Sequence, residues 1–382
     1  HILRYRSPTL RTINNFYNVY ILMKIRDKYI RKTLLQFTFV VLVIWIGVYS
    51  FFNYLQEMGR IGEAGYTSVE ALKYIVFQIP TVIYKHASPI ILLGCILGMG
   101  HLATTSQLMV MQASGSSILK LTTVTVKTAL FFIIIFIIIG ESIAPIINIE
   151  AEKNRSQALG ISYVSQDKKG FWIKDGDNFI NVKKNFDGRI FNDITIIEVN
   201  SSNKIKTVVA AQNANFNEKV MMMEGTKIFS MDSLNAVDTI NIKERNSYDK
   251  NVSFDQGLID SLKKNPEELT TYTILQQIQF LSDNKLRSGI FQVELYYRLI
   301  KPFTLVAMIL IAMLFIFGSA RDTSLGRKIF FGVVISLSFE MISRVGGALS
   351  LSFNFNPIMS AILPTMIVML IGIILIFKKS IN

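Results

Sequence analysis

The chain is 382 residues long, 51% hydrophobic and only 18% charged, with a mean hydropathy of +0.39. Soluble domains carry about 25% charged residues, so a purely soluble globule is excluded and a membrane protein with a sizeable polar part is expected. The formal net charge of +13 argues for orientation in a membrane and not for a nucleic-acid partner, because the basic residues crowd beside apolar runs.

Lys24, Arg26, Lys28, Arg31 and Lys32 precede the first such run, Arg327 and Lys328 lie between two later ones, and Lys378 and Lys379 close the last. Residues 1–33 read as a basic cytoplasmic segment; residues 1–22 lack an apolar core, and Met23 is a candidate start because the chain opens on His1. Residues 34–55 form a first span of the ~20-residue length a bilayer requires. No small-residue cleavage site follows it, so it is expected to be retained as an anchor. A second span covers about 73–100 and is broken by Pro80, Lys85, His86 and Pro89; a third covers about 121–147. Spans four to six are expected at about 297–318, 328–352 and 357–377. Six spans place both termini on one side, and the basic flanks make that side the cytoplasm.

Between spans two and three lies HLATTSQLMVMQASGSS, residues 101–117. Ser106 is expected to cap a helix whose residues Gln107 to Ala113 are mostly strong helix formers, with Gly115 closing it in a left-handed conformation. Leu108, Met109 and Met111 give it an oily surface, Gln107 and Gln112 a polar one. At about two turns it is far too short to cross a membrane. Clamped between two spans, such a helix can serve as a lever that docks on a soluble motor; an idle surface helix is the alternative.

After span three the pattern changes from helical to alternating. GFWIKDGDNFINV carries a hairpin signal at Asp175-Gly176. Further strands are expected at 193–199, 204–210, 219–225 and 238–244, giving an all-β sandwich or barrel over 148–264. Residues 265–281 read as an amphipathic helix with Asn265 as N-cap and Pro266 at its first position, within a connector over 265–296 that leads back to the membrane. The fold expected is therefore an α-helical membrane protein of six spans (34–147 and 297–382) with an extracytoplasmic all-β domain inserted between spans three and four.

Chemistry is sparse. Cys95 is the only cysteine, so no intrachain disulfide or Cys-based metal cluster can form; no phosphate-binding loop, HExxH or GxSxG occurs, and the three histidines are scattered. No catalytic residue and no metal site is expected in this chain. Polar groups within spans are costly and tend to face protein or water. Glu340 and Arg344 share a helix face and form either a structural ion pair or part of a polar cavity. Lys85 reaches an interface or breaks its span. Phe51 and Phe52 close the first span as an interfacial aromatic pair, with Asn53 and Arg60 beside them. Arg155, past span three, is either a solvated charge or a fork for an anionic headgroup.

SQLMVMQASG (106–115), IGESIAP (139–145), GFWIKDGDNF (170–179) and LFIFGSARDTSLGRKIFFG (314–332) resemble the LptF/LptG (YjgP/YjgQ) family of lipopolysaccharide export permeases, from about Lys28 to Ser380. VMQASG is closer to its LptG branch. The resemblance implies a twelve-span cavity shared with an LptF-like sister in the inner membrane of Gram-negative bacteria. It implies β-jellyroll domains that pass lipopolysaccharide to LptC-like and LptA-like partners. An LptB-like ATPase dimer, which itself holds ATP and Mg, would grip residues 106–114, with Ser106, Gln107, Met109, Met111 and Gln112 as contacts; no cofactor is implied in this chain. Spans 34–55 and 328–352 would form a lateral gate, with Phe51, Phe52 and Leu55 against acyl chains and Arg60, Lys153 and Arg155 on phosphates. The sequence departs from the family at Gln107, where relatives carry Glu, and at Asn53, where they carry Lys. Gln107 removes an ion-pair attraction, and the contact is expected to be weaker by about 1 kcal/mol. A subunit that moves its external domain under the same lever, without carrying lipid, is the alternative function.

Overall fold

The computed structural model describes residues 8–160, 171–186, 190–200, 202, 204–217, 219–234, 237–254, 257–258, 261, 264–318, 324–353 and 355–381. Two compact units emerge: residues 1–51, 79–140 and 296–382 form a helical unit, and residues 52–78 and 141–295 a second one.

In the helical unit, α1 (Pro8–Met58), α3 (Ala87–Thr104), α5 (Ile118–Ile138), α8 (Gly289–Phe317), α9 (Leu325–Phe353) and α10 (Pro357–Ile381) include the stretches long and apolar enough to cross a membrane. The first of them continues unbroken from the basic segment, so residues 8–33 are helical and not a separate arm. The expected second span is two helices. α2 (Ser68–Lys85) keeps Pro80 in its interior, and the chain breaks at His86 before α3 begins. Pro89 lies in the first turn of α3, where its missing N–H costs no hydrogen bond. The third span also runs on past its expected end. After Ile138 the helix widens into a π turn over Ile139–Ile143, then continues as α6 (Ala144–Ala158).

α3 forms the centre of the helical core, with Ile90, Leu92, Ile96, Met99 and Leu102 fully buried. A helix apolar all round belongs inside, and Gly94 permits the closest contact: a Cβ there would lie 2.5 Å from the Thr38 Oγ1 of α1. Small residues at helix crossings let backbones approach in this way.

The second unit carries six antiparallel strands in chain order, β1 (Phe171–Asp175), β2 (Asn178–Phe186), β3 (Ile190–Val199), β4 (Ile205–Asn217), β5 (Val220–Leu234) and β6 (Val237–Asn251). The expected hairpin is present, with Gly176 at φ +59 in its turn. β3, β4 and β5 are longer than the sequence pattern suggested, and the reason is a crease. Phe191 is buried but so are Ile194 and Ile196; Val209 and Ala211 are buried but so is Ala214; Met221 and Met223 are buried but so is Thr226. Each strand changes its inward parity at one transverse row, where Asp193 (φ +54) and Gly225 (φ +63) take left-handed conformations. A single irregular residue shifts the two-residue period while the strand continues. The apolar face is covered by Val252, Phe254 and Leu269 and by α7 (Thr271–Asp283) through Ile274, Phe280 and Leu281.

The helix expected over 265–281 is split. Pro266–Glu268 form a 3-10 turn, Asn265 caps no backbone amide, and α7 is capped by Thr270, whose hydroxyl accepts from the Thr273 N–H at 3.1 Å. Thr270 is extended and free to cap because Leu269 before it turns its side chain into the core.

Candidate functional site

α4 (Gln107–Ala113) is the short helix expected from the sequence, but its start differs. Ser106 sits at φ +61 and its hydroxyl caps nothing. Its N–H closes the end of α3 on the Ala103 carbonyl (3.0 Å), and its own carbonyl receives the Val110 N–H (3.1 Å). The left-handed backbone that ends α3 thus takes the place of a side-chain cap. At the other end Gly115 (φ +89) lets Ser116 N–H reach back to the Met111 carbonyl at 3.1 Å, a six-to-one closure.

The buried anchor of α4 is Leu108, at 4% exposure, with Met111 packed partly into the same core. The face turned outward is Met109 and Val110, at 56% and 67% exposure. Ser106 is exposed, Gln107 and Gln112 are half-buried, and the Gln107 Oε1 is shielded without a hydrogen-bond partner among the described residues. Val110 was not singled out by sequence reasoning; its place on the helix face opposite Leu108's neighbours was the available signal. The loop after α4 is tied to α1, where the Arg26 guanidinium donates to Ser116 Oγ at 2.7 Å and also holds Asp27.

At the end of α1, in the second unit, Glu57 is buried and meets Arg155 of α6 in a two-pronged pair at 2.8 and 3.0 Å. The Tyr66 hydroxyl donates to the same carboxylate at 2.8 Å. Burial, then the hydrogen bond to Glu57, pushes the Tyr66 phenol up to about 12. Arg155 also stacks over the Tyr74 ring at 4.7 Å and reaches Glu152 at 3.7 Å, while the Tyr74 hydroxyl donates to Glu152 at 2.7 Å. Beside this network α2 and α6 line a cleft of about 510 Å³ that includes Glu70, Lys73, Asn154 and Gln157. Arg155 was legible as a cation near the membrane; Glu57, Tyr66, Tyr74 and Glu152 were missed, and only Glu152, one turn away on the same helix, had a local signal.

A third constellation lies inside the helical unit. The electrostatic neighbours of Glu340 are Lys301, Arg344 and Lys85. The Lys301 ammonium donates to the Lys85 carbonyl at 3.4 Å and lies 5.3 Å from the Tyr84 ring centre. The pair expected at Glu340 and Arg344 is thus part of a larger group drawn from α2, α8 and α9.

The family model described as the lipopolysaccharide export system permease LptF/LptG matches residues 28–378. The chain belongs to the LptF/LptG family. The lipopolysaccharide export system permease protein LptG of Escherichia coli strain K12 is 25% identical over 361 residues, covering 93% of this chain and 98% of the relative. The protein of the same name from Haemophilus influenzae is 25% identical over 341 residues, covering 89% and 95%. A multi-pass inner-membrane permease of lipopolysaccharide export, with a β domain inserted between its helices, is what family and fold together support.

Within an LptF/LptG chain, the residues assigned to the lipid fall on both units. Phe51 ends the part of α1 in the helical unit and is 60% exposed; Phe52 and Leu55, in the second unit, are 59% and 47% exposed. Asn53 is half-buried, and Arg60 and Lys153 are exposed. Arg155 differs from these, because its guanidinium is already held by Glu57.

Proposed function

We propose that this chain is the lipopolysaccharide-carrying permease of an ATP-driven extractor, paired with an LptF-like sister and driven by an LptB-like ATPase dimer. The observation that carries this reading is α4: two turns of helix, held from within by Leu108, presenting Met109 and Val110 outward, and tied to α1 through Arg26 and Ser116. A motor gripping Met109 and Val110 would pull on α3, α5 and α1 together. α1 and α9 then form the lateral gate through which the lipid enters, with acyl chains against Phe51, Phe52 and Leu55. The phosphates meet Arg60 and Lys153, both exposed, while Arg155 acts through Glu57 to hold α6 against the end of α1. LptC-like and LptA-like proteins receive the lipid from the β domain. ATP and Mg belong to the motor.

The test is reconstitution of this chain with its sister and the ATPase in vesicles carrying lipopolysaccharide. ATP-dependent release of lipid to a soluble acceptor is expected. Leu108→Ala, which removes the anchor of the lever, should lower release while leaving the ATPase bound. ATP hydrolysis that depends on α4 but moves no lipid would favour the mechanotransmitting alternative.

A further inference from the structure

We propose that the cleft between α2 and α6 is a binding site for uncharged sugar residues, held by the Asn154 and Gln157 amides beside the rings of α2. The site goes beyond the permease reading and does not depend on it, since every residue that lines it belongs to the second unit of this chain.

The cleft follows from side-chain spacing on two helices. Residues three and four apart share a helix face. Glu70, Lys73, Tyr74 and Phe77 keep that spacing on α2, and Ala151, Asn154, Arg155 and Ala158 keep it on α6. Large side chains on one wall thus meet two alanines on the other, and the mismatch leaves about 510 Å³ open, within the ~300–1,000 Å³ of small-molecule sites. Residues 150–155 include Glu150, Glu152, Lys153 and Arg155. Hydrocarbon does not accept that density of charge, so the cleft opens to water.

Its chemistry suits a neutral ligand rich in hydroxyls. Both cations that line it are already paired, Lys73 with Glu70 at 2.9 Å and Arg155 with Glu57 at 2.8 Å. The Tyr74 hydroxyl is used as well, donating to Glu152 at 2.7 Å and accepting from the Gln78 amide at 2.5 Å. Two amides remain. Asn154 is half-buried and Gln157 exposed, and neither side chain has a hydrogen-bond partner among the described residues. Each amide offers two donors and an acceptor oxygen, which neighbouring hydroxyls and acetamido groups can satisfy together. Phe77, at 38% exposure, adds an apolar ring one turn from Tyr74, and the C–H face of a sugar ring can cover it. A phosphate would meet Glu70 with no unpaired cation to hold it, and an acyl chain would strand both amides.

The test uses the full chain in a detergent without a sugar headgroup, with N,N′-diacetylchitobiose as the neutral probe and saturation-transfer NMR as the readout. Saturable binding is expected, with no displacement by inorganic phosphate or tetraglycine. Asn154→Leu together with Gln157→Leu should weaken it about tenfold. Phe77→Ala should weaken it several-fold, and Phe77→Tyr should retain it. Thermal melting identifies the folded variants; if the double variant unfolds, Phe77→Ala decides. No saturable binding by the wild-type chain, or equal affinity in the folded variants, overturns the site. Displacement by phosphate makes it an anion site and displacement by tetraglycine a peptide site, and either result overturns the sugar assignment. Lipopolysaccharide that displaces the disaccharide assigns the sugar to a lipid headgroup, and failure to displace it assigns the cleft to a free glycan. Vesicle release keeps the two proposals distinct. Disaccharide binding without lipid release refutes the permease reading alone, and lipid release without disaccharide binding refutes the cleft alone.

Discussion

The chain holds two charge clusters that solve burial in different ways. Around Arg155 the anions outnumber the cation, yet each carboxylate has named donors: Glu57 takes two bonds from the guanidinium and one from Tyr66, and Glu152 takes one from Tyr74. Neutral phenols supply what a second cation would otherwise have to supply. Around Glu340 the charged neighbours are the cations Lys301, Arg344 and Lys85, drawn from α8, α9 and α2. Hydroxyl donors thus satisfy the carboxylates of the first cluster, whereas the carboxylate of the second is set among cations carried by separate helices.

The comparison yields graded expectations. Arg155→Met leaves Glu57 buried and without its ion-pair partner, which for such sites costs about 3–5 kcal/mol; thermal unfolding of the purified complex should shift down sharply, and an unchanged midpoint would mean the cluster is not structural. Tyr66→Phe removes one hydrogen bond to a charged group, a loss of about 1.5–3 kcal/mol. It also changes the alkaline limb. A phenol raised from 10.0 to about 12 favours the folded state fully below pH 10, and that contribution fades as pH rises to 12. The variant should lack that part of the decline, as denaturant titrations across this window would reveal.

Gln107→Glu, tested by ATPase affinity, should tighten the complex by about 1 kcal/mol if the side chain swings out to the motor. Because its Oε1 is shielded in this chain, no change would assign the docking face to Met109 and Val110 alone. Arg344→Gln sharpens the contrast with Arg155. Replacing one of several cations near Glu340 should cost less than about 1 kcal/mol in the purified complex, and a large loss there would make the second cluster as structural as the first. The smallest effect is expected at Lys227→Gln. Its pair with Glu244 lies on the sheet surface at 2.8 Å, fully open to solvent, so the unfolding midpoint should not move.

Much of the organisation was legible because it depends on local chemistry. Bilayer-length apolar runs, the turn at Asp175-Gly176, the closure at Gly115 and the short helix between two spans each depend on residues adjacent in the chain. The strand ends were misjudged for a physical reason. One expected strand began at 193 and two others ended at 210 and 225, beside the crease, because alternation is the strand signal in a sequence and a left-handed residue breaks it without ending the strand. Ser106 was misjudged in a similar way. Its residue type suits a cap, but the sharp turn from α3 into α4 imposes a positive φ that points the hydroxyl elsewhere.

What the sequence determined by itself was the class of protein, the six apolar spans, the β insertion and the short helix between two spans. Each follows from hydrophobic period and turn chemistry within a few residues. What only the tertiary structure decided was which charges meet. Arg155 finds Glu57 across 98 residues of chain, and Lys85, Lys301 and Arg344 come from three separate helices. A charge gives no sign in sequence of its distant partner, because the attraction acts through space and becomes strong only where packing has removed the water.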